Sequence, residues 1–124
     1  MTEQDGPTID EAVLDGVLES VGGDSGFVAE LVDTYLADAP AHLDAIDAAV
    51  ESHDASALVR PAHTLKTGSL TIGAIRLGEM SRSLEMQGRA ERLDGAAEAA
   101  RAMRSEFETV QSQLRAWVAA RKRA

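Results

Sequence analysis

Apolar residues recur at three- and four-residue spacing along most of the chain, and this pattern predicts amphipathic α-helices. The first begins after Thr8 or Asp10, either of which can cap a helix, and ends at Gly22-Gly23. A longer helix follows, with its apolar positions running from Val28 to Val50. Because the spacing continues across Pro40, we expect one kinked helix rather than two unrelated ones.

A third segment starts at Asp54, a predicted N-cap, and stops at Gly73, which suits the residue after a helix end. Pro61 lies inside it and predicts a kink just before His63. The residues expected to face inward share the helical period, and they are Leu58, Ala62, Leu65, Ser69 and Ile72.

Two more helices complete the pattern. One is predicted from about Ala74 to Gln87 with Gly88 as its stop, and the last begins near Asp94 and runs almost to the C-terminus. The predicted inner positions of the last helix include Ala97, Ala100 and Met103. Long amphipathic segments joined by short turns predict an all-α fold, an antiparallel up-down four-helix bundle with an additional short N-terminal helix. We expect residues 8–122 to form one domain after a disordered N-terminus at 1–7.

Composition narrows the possible functions. The chain has 124 residues, 44% of them hydrophobic, which fits one domain with a core. It has no cysteine, which excludes disulfides and thiolate metal sites, and its net charge of −9 disfavours binding to nucleic acid or anionic lipid. No apolar run is long enough to span a membrane, and no signal peptide is evident. We therefore expect a cytoplasmic monomer.

The candidate chemistry lies in the third helix, where His63 and Lys66 are one turn apart. They belong to a face next to the buried stripe, and this face is expected to look outward. A solvent-facing imidazole, with a free pKa of about 6.5, can act as a nucleophile near neutral pH. A lysine beside it could offset the charge of a phosphoryl group on the ring. The residues of the outward face are Val59, His63, Lys66, Thr67 and Leu70.

Other kinds of site lack their required residues. The paired Glu-x-x-His motifs of a di-iron bundle, the His-Glu-x-x-His motif of zinc hydrolases and a phosphate-binding Gly-x-x-x-x-Gly-Lys-Ser/Thr loop are all absent. Two alternatives stay open at this stage. One is a helical docking module without phosphate chemistry, which would bind a receiver or another helical partner, and the other is a metal-binding helical bundle.

A longer string surrounds the histidine. Its parts are Ala62-His63-Thr64-Leu65-Lys66, Thr67-Gly68-Ser69, Ile72-Gly73-Ala74, Leu84-Glu85 and Gly88-Arg89, with further likeness in Phe27 to Tyr35, Asp38-Ala39-Pro40 and the last helix. The string resembles the histidine-containing phosphotransfer (HPt) domains of two-component phosphorelays. The resemblance implies a four-helix bundle in which His63 accepts a phosphoryl group, on Nε2, and Lys66 stabilises its charge. Where the family often has glycine this chain has Thr67, followed by Gly68, and where it often has asparagine the chain has Thr71.

The resemblance also implies partners and a role. The protein would be a phosphocarrier rather than an enzyme, exchanging phosphoryl groups with aspartates of response-regulator receiver domains and working with a hybrid histidine kinase. No cofactor is expected on this chain, since Mg²⁺ would belong to the receiver. The residues expected to contact the receiver are Val59, Thr67, Gly68, Leu70, Val13, Val17, Glu79, Met80 and Ser83.

Overall fold

The computed structural model describes residues 6–123, and these residues fold into helices joined by short turns. A single turn of 3₁₀ helix at Ala55–Leu58 leads directly into the third α-helix. The α-helices are α1 (Glu11–Ser20), α2 (Ser25–Glu51), α3 (Val59–Thr71), α4 (Ile75–Arg89) and α5 (Ala96–Arg123). The predicted all-α class is confirmed, as are the number and order of the helices.

Aspartates begin three of the helical segments, as the sequence predicts. The Asp10 carboxylate accepts a hydrogen bond from the Ala12 backbone N–H at 3.0 Å, and Asp24 accepts from Phe27 N–H at 3.0 Å. Asp54 accepts from Ala57 N–H at 3.3 Å and starts the 3₁₀ turn. Each carboxylate satisfies a backbone donor that has no partner within its helix.

The core is formed by one face of each long helix. The helices α2 to α5 form the bundle, in which α3 packs mainly on α4 and α2 mainly on α5. Neighbouring helices run antiparallel: Tyr35 near the start of α2 meets Ser69 near the end of α3. Helix α1 is an addition to the bundle, and it buries Leu14 completely. The predicted inner stripe of α3 is buried at all five positions, Leu58, Ala62, Leu65, Ser69 and Ile72.

The two prolines within helical segments are accommodated differently. Pro40 lies on the exposed side of α2, which continues through it without interruption, so the single helix is confirmed. Pro61 is the third residue of α3, where the backbone N–H of any residue would lack an intrahelical partner. Its missing donor therefore removes no interior hydrogen bond, and the helical segment changes from 3₁₀ to α-helix two residues before Pro61.

Two predicted positions need correction. Gly88 does not end α4, which continues to Arg89. Gly88 is buried instead. It packs so closely on the 3₁₀ turn that a Cβ there would lie 2.8 Å from the Ala55 carbonyl oxygen. At the start of α5 the buried alanine is Ala96 rather than Ala97, which is exposed. The helix begins two residues later than predicted, and its first inward position differs accordingly.

The chain entering α1 is attached to the turn between α3 and α4. The carbonyls of Gly6 and Pro7 accept hydrogen bonds from Arg76, through its Nε and its backbone N–H respectively. The Asp10 N–H donates to the Gly73 carbonyl at 2.8 Å. Most of the segment 1–7 expected to be disordered lies outside the described residues, and Gly6 and Pro7 make these contacts at its end.

Candidate functional site

The buried stripe of α3 determines where His63 points. Ala62 and Leu65 face the core, so the residue between them on the neighbouring face is turned toward solvent and α4. The His63 side chain is 53% exposed, and the Lys66 side chain, one turn further along, is 23% exposed. Both are directed at the same group on α4.

That group is the carboxylate of Glu85, which lies on the inner face of α4 and is only 6% exposed. Its Oε2 is 3.0 Å from His63 Nδ1, and its Oε1 is 2.9 Å from Lys66 Nζ. Arg89, one turn further along α4, donates to Oε2 from a guanidinium nitrogen at 2.8 Å. One buried carboxylate on α4 therefore contacts three basic side chains, two of which come from α3.

The charge of Glu85 follows from these contacts. Hydrogen bonds from Lys66 and Arg89 lower the pKa of Glu85 from 4.5 to about 2, with a smaller contribution from His63, although burial acts in the opposite direction. The carboxylate is thus ionised across the physiological range. Because Lys66 and Arg89 are two cations around the single Glu85 anion, the site beside His63 carries an excess of positive charge.

An ionised carboxylate can only accept hydrogen bonds, so His63 Nδ1 must carry the proton that it shares with Glu85. In the neutral ring this leaves the lone pair on Nε2, the other nitrogen. A carboxylate holds the catalytic histidine of serine hydrolases in a fixed tautomer by the same means. The geometry therefore presents Nε2 as the nucleophile on an exposed and oriented imidazole.

Thr67 and Gly68 follow Lys66 on α3. Thr67 is exposed, whereas Gly68 is half-buried above Tyr35, whose hydroxyl shares a 2.7 Å hydrogen bond with Ser69. A Cβ at Gly68 would lie 3.5 Å from the Tyr35 ring, an ordinary van der Waals distance. Packing within the chain therefore does not require glycine at this position. Burial raises the pKa of Tyr35 to about 12, so its hydroxyl stays protonated.

Val59 and Leu70, two of the residues expected to contact the receiver, lie where α3 packs on α4. Both are half-buried, because the α4 residues opposite them are glycines that let the two helices approach closely. Leu70 occupies the space where a side chain at Gly78 would lie, and Val59 is 3.1 Å from the Cβ position of Gly88. Their main contacts are thus inside the α3 and α4 pair.

The remaining expected contact residues lie on α1 and α4. Val13 is half-buried against Gly73, and Val17 is half-buried beside an apolar groove between α1, α2 and α3. Glu79 is half-buried and pairs with Arg82 at 3.4 Å. The last two differ in exposure, because Ser83 is exposed whereas Met80 packs against the core.

An apolar groove of about 320 Å³ runs between α1, α2 and α3. Gly68 and Thr64, the residue after His63, form one wall, and Val17 forms another. Leu31 lies on the α2 wall and is exposed, as is Phe27 one turn before it. The groove and these two side chains form an apolar surface beside the histidine, which we call the α1–α2 face.

The sequence alone did not identify Glu85 and Arg89 as members of the site. A signal was present, since Glu85 adjoins the inner residue Leu84 and precedes Gly88 by three, which places a charge on the buried side of α4. A buried carboxylate needs cationic partners. Phe27 and Leu31 were also missed as surface residues, because each adjoins a core position of α2, Val28 or Val32.

Within the described part of the chain, no three histidine, cysteine or acidic residues are grouped so that they could hold a metal ion. None of the helices between residues 6 and 123 is long and apolar enough to cross a membrane. The three basic partners of Glu85 also leave it no free side for a cation.

Comparison with known proteins identifies the family of this chain. The model of the Hpt domain family matches residues 30–117, a span that contains His63 and Glu85. The structure is similar to the crystal structure of histidine-containing phosphotransfer protein B (HptB) from Pseudomonas aeruginosa PAO1, with a TM-score of 0.82 and 31% sequence identity. The match covers 96% of this chain and 98% of the other. A search of curated proteins found no match. The family model and this similarity place the chain in the Hpt domain family, the histidine phosphotransfer proteins of phosphorelays.

Proposed function

We propose that His63 is the phosphoryl-accepting residue and that its Nε2 exchanges the group with aspartates of response-regulator receiver domains. The observation that carries this proposal is the hydrogen bond from His63 Nδ1 to the buried, ionised Glu85. In the neutral ring this hydrogen bond leaves the lone pair on Nε2, and the ring is 53% exposed, as a nucleophile for a partner-bound phosphoryl group must be.

The transfer needs no proton from solvent. The Nε2 lone pair attacks phosphorus while the bond between phosphorus and the aspartate oxygen breaks, and that electron pair returns to the receiver's carboxylate. The imidazole becomes positively charged as the new bond forms. Its Nδ1–H then faces the Glu85 carboxylate as one half of an ion pair, which stabilises the charge as it develops. Donation to a second receiver reverses these steps.

Lys66 and Arg89 supply positive charge beside the reacting nitrogen. A transferring phosphoryl group spreads negative charge over its oxygens, and cations placed nearby lower the free energy of that arrangement. In this proposal Mg²⁺ and the acidic pocket belong to the receiver, and a hybrid histidine kinase provides the phosphoryl group upstream. This chain acts as a carrier between them.

The α1–α2 face is the proposed docking surface for the receiver. It adjoins His63 through Thr64 and Gly68, and it exposes Phe27 and Leu31. Exposed apolar side chains grouped next to a reactive residue are typical of an interaction site. The lack of a side chain at Gly68 leaves room for a partner to approach α3 two residues beyond Lys66.

The test is to incubate the protein with a phosphorylated receiver and to follow acid-labile, base-stable phosphate on this chain. We expect label on the wild-type protein and none on His63→Gln. His53→Asn is the matched control, because His53 is an exposed histidine outside the site with a positive φ of 56° that asparagine tolerates. Label that persists in His63→Gln would contradict the assignment.

A docking module without phosphate chemistry is the second candidate, and the apolar α1–α2 face favours it. Such a module would bind a receiver equally well with or without a nucleophile at position 63. The same variant separates the two candidates. If His63→Gln binds the receiver and preserves the cellular response, the docking function is correct and the carrier function is wrong.

A further inference from the structure

The negative charge of Glu85 is not required merely to position His63. A glutamine of the same length would also accept the Nδ1–H hydrogen bond through its amide oxygen. The carboxylate instead lies 3.0 Å from the ring that is to carry an anionic phosphoryl group, which it repels. A buried charge at this point therefore has an effect on the phosphorylated form as well as on the free one.

The first effect concerns the proton on Nδ1. Once Nε2 is phosphorylated, the ring can lose that proton or keep it as a cation. An adjacent carboxylate favours the cationic form. The bond between phosphorus and Nε2 breaks more readily from the cationic ring, because the leaving group is then a neutral imidazole.

The second effect concerns the two cations. Lys66 Nζ is held at 2.9 Å by Oε1, and Arg89 at 2.8 Å by Oε2. Lys66 and Arg89 keep other N–H donors for the phosphoryl oxygens, but each shares its positive charge with the Glu85 carboxylate. The carboxylate therefore limits how much the cations stabilise the phosphorylated state.

We propose that Glu85 is a positioning residue that keeps the phosphoryl group on His63 short-lived and readily transferable, by retaining the Nδ1 proton and by holding Lys66 and Arg89. The inference rests on the proposed function, in which His63 is the acceptor. In the outward transfer the bond between phosphorus and Nε2 breaks and its electron pair returns to Nε2. Phosphorus bonds to a carboxylate oxygen of the next receiver, or to the oxygen of water in hydrolysis, and the Nδ1 proton stays on the His63 ring, hydrogen-bonded to Glu85.

The experiment compares the lifetime of the phosphorylated protein in three forms: wild type, Glu85→Gln and Glu108→Gln. Glu108 is an exposed carboxylate on α5 and serves as the matched control. Each protein is phosphorylated with phosphoramidate, a small donor that needs no receiver, and the donor is removed. The decay of the phosphohistidine signal is then followed by ³¹P NMR at one fixed pH near neutrality.

We expect the phosphorylated form of Glu85→Gln to live roughly tenfold longer, because a neutral amide stabilises the protonated ring less than a charged carboxylate does. Glu108→Gln should decay at the wild-type rate. In ¹⁵N spectra, the phosphorylated wild-type ring should keep its Nδ1 proton, whereas the Glu85→Gln ring should lose it. A residue needed only for folding would not produce this change in protonation.

An equal or shorter lifetime in folded Glu85→Gln overturns the inference while leaving phosphotransfer intact. Failure of the wild type to take label from a receiver would instead contradict the proposed function, and the phosphoramidate experiment does not depend on that step. If Glu85→Gln does not fold by circular dichroism, the ¹⁵N measurement on the wild type decides. An unprotonated Nδ1 in its phosphorylated form overturns the inference.

Discussion

Replacing Glu85 by glutamine should change how the stability of the free protein depends on pH. The pKa of Glu85 is lowered from 4.5 to about 2 by Lys66 and Arg89. A carboxyl group whose pKa falls on folding binds a proton more weakly in the folded state than in the unfolded one. Its stabilising contribution is therefore complete above the unfolded pKa and is lost as the pH falls through the folded pKa.

The size of the effect follows from the shift. Lowering the pKa of Glu85 from 4.5 to about 2 corresponds to about 3 kcal/mol of stability, at about 1.4 kcal/mol per pKa unit. The Arg89 side chain is 60% exposed, so solvent screens part of its interaction with Glu85. We therefore expect about 2 kcal/mol, a large share of the roughly 5–15 kcal/mol by which domains are stable.

The assay is urea unfolding of the wild type and Glu85→Gln at pH 5 and at pH 2.5, followed by circular dichroism. All carboxylates titrate in this range, so the informative quantity is the difference between the two proteins at each pH. The wild type should lose about 1.5 kcal/mol more than the variant between pH 5 and pH 2.5, because the rest of the contribution is lost only below the folded pKa of about 2. Equal losses in the two proteins would refute the argument that Glu85 is held ionised by its basic partners.

Three further predictions concern the glycines and the docking surface. Gly68→Ala should raise the free energy of unfolding by about 1 kcal/mol, since alanine favours helix and its Cβ would meet Tyr35 at an ordinary van der Waals distance. The same substitution should slow phosphoryl transfer from a receiver, and an unchanged transfer rate would show that Gly68 has no role in partner approach. Gly88→Ala, by contrast, should destabilise the folded protein by about 1–3 kcal/mol, because its Cβ would lie 2.8 Å from the Ala55 carbonyl oxygen. An unchanged free energy of unfolding in urea would contradict this packing. Leu31→Ser should change stability by no more than about 0.5 kcal/mol while weakening receiver binding measured by calorimetry; undiminished affinity would exclude Leu31 from the interface.

The fold was predictable because its signals are local. A capping aspartate, an apolar residue every three or four positions and a glycine after a helix end all act within one or two turns. The same local signals placed His63 on the exposed side of α3, since the buried stripe beside it was identified at every position. They could not identify its partner, because Glu85 is 22 residues away and on another helix.

The close packing around Val59 and Leu70 could not be predicted for a related reason. The helical period shows which residues share a face, but it does not show how closely the next helix approaches that face. The close approach depends on Gly78 and on Gly88, and the sequence pattern predicted Gly88 only as a helix stop. Only the pairing of α3 with α4 shows that these glycines accommodate Leu70 and Val59.

The same glycines account for the site itself. With no side chain at Gly78 or Gly88, α4 lies close enough to α3 for the short side chain of Glu85 to be covered by both helices. A covered carboxylate must be paired with cations, and the residues within reach are Lys66 and Arg89. His63 then needs only its exposed position on α3 to have one ring nitrogen fixed and the other free. The close packing of two helices thus sets the ionisation of Glu85, and that ionisation sets which nitrogen of His63 can react.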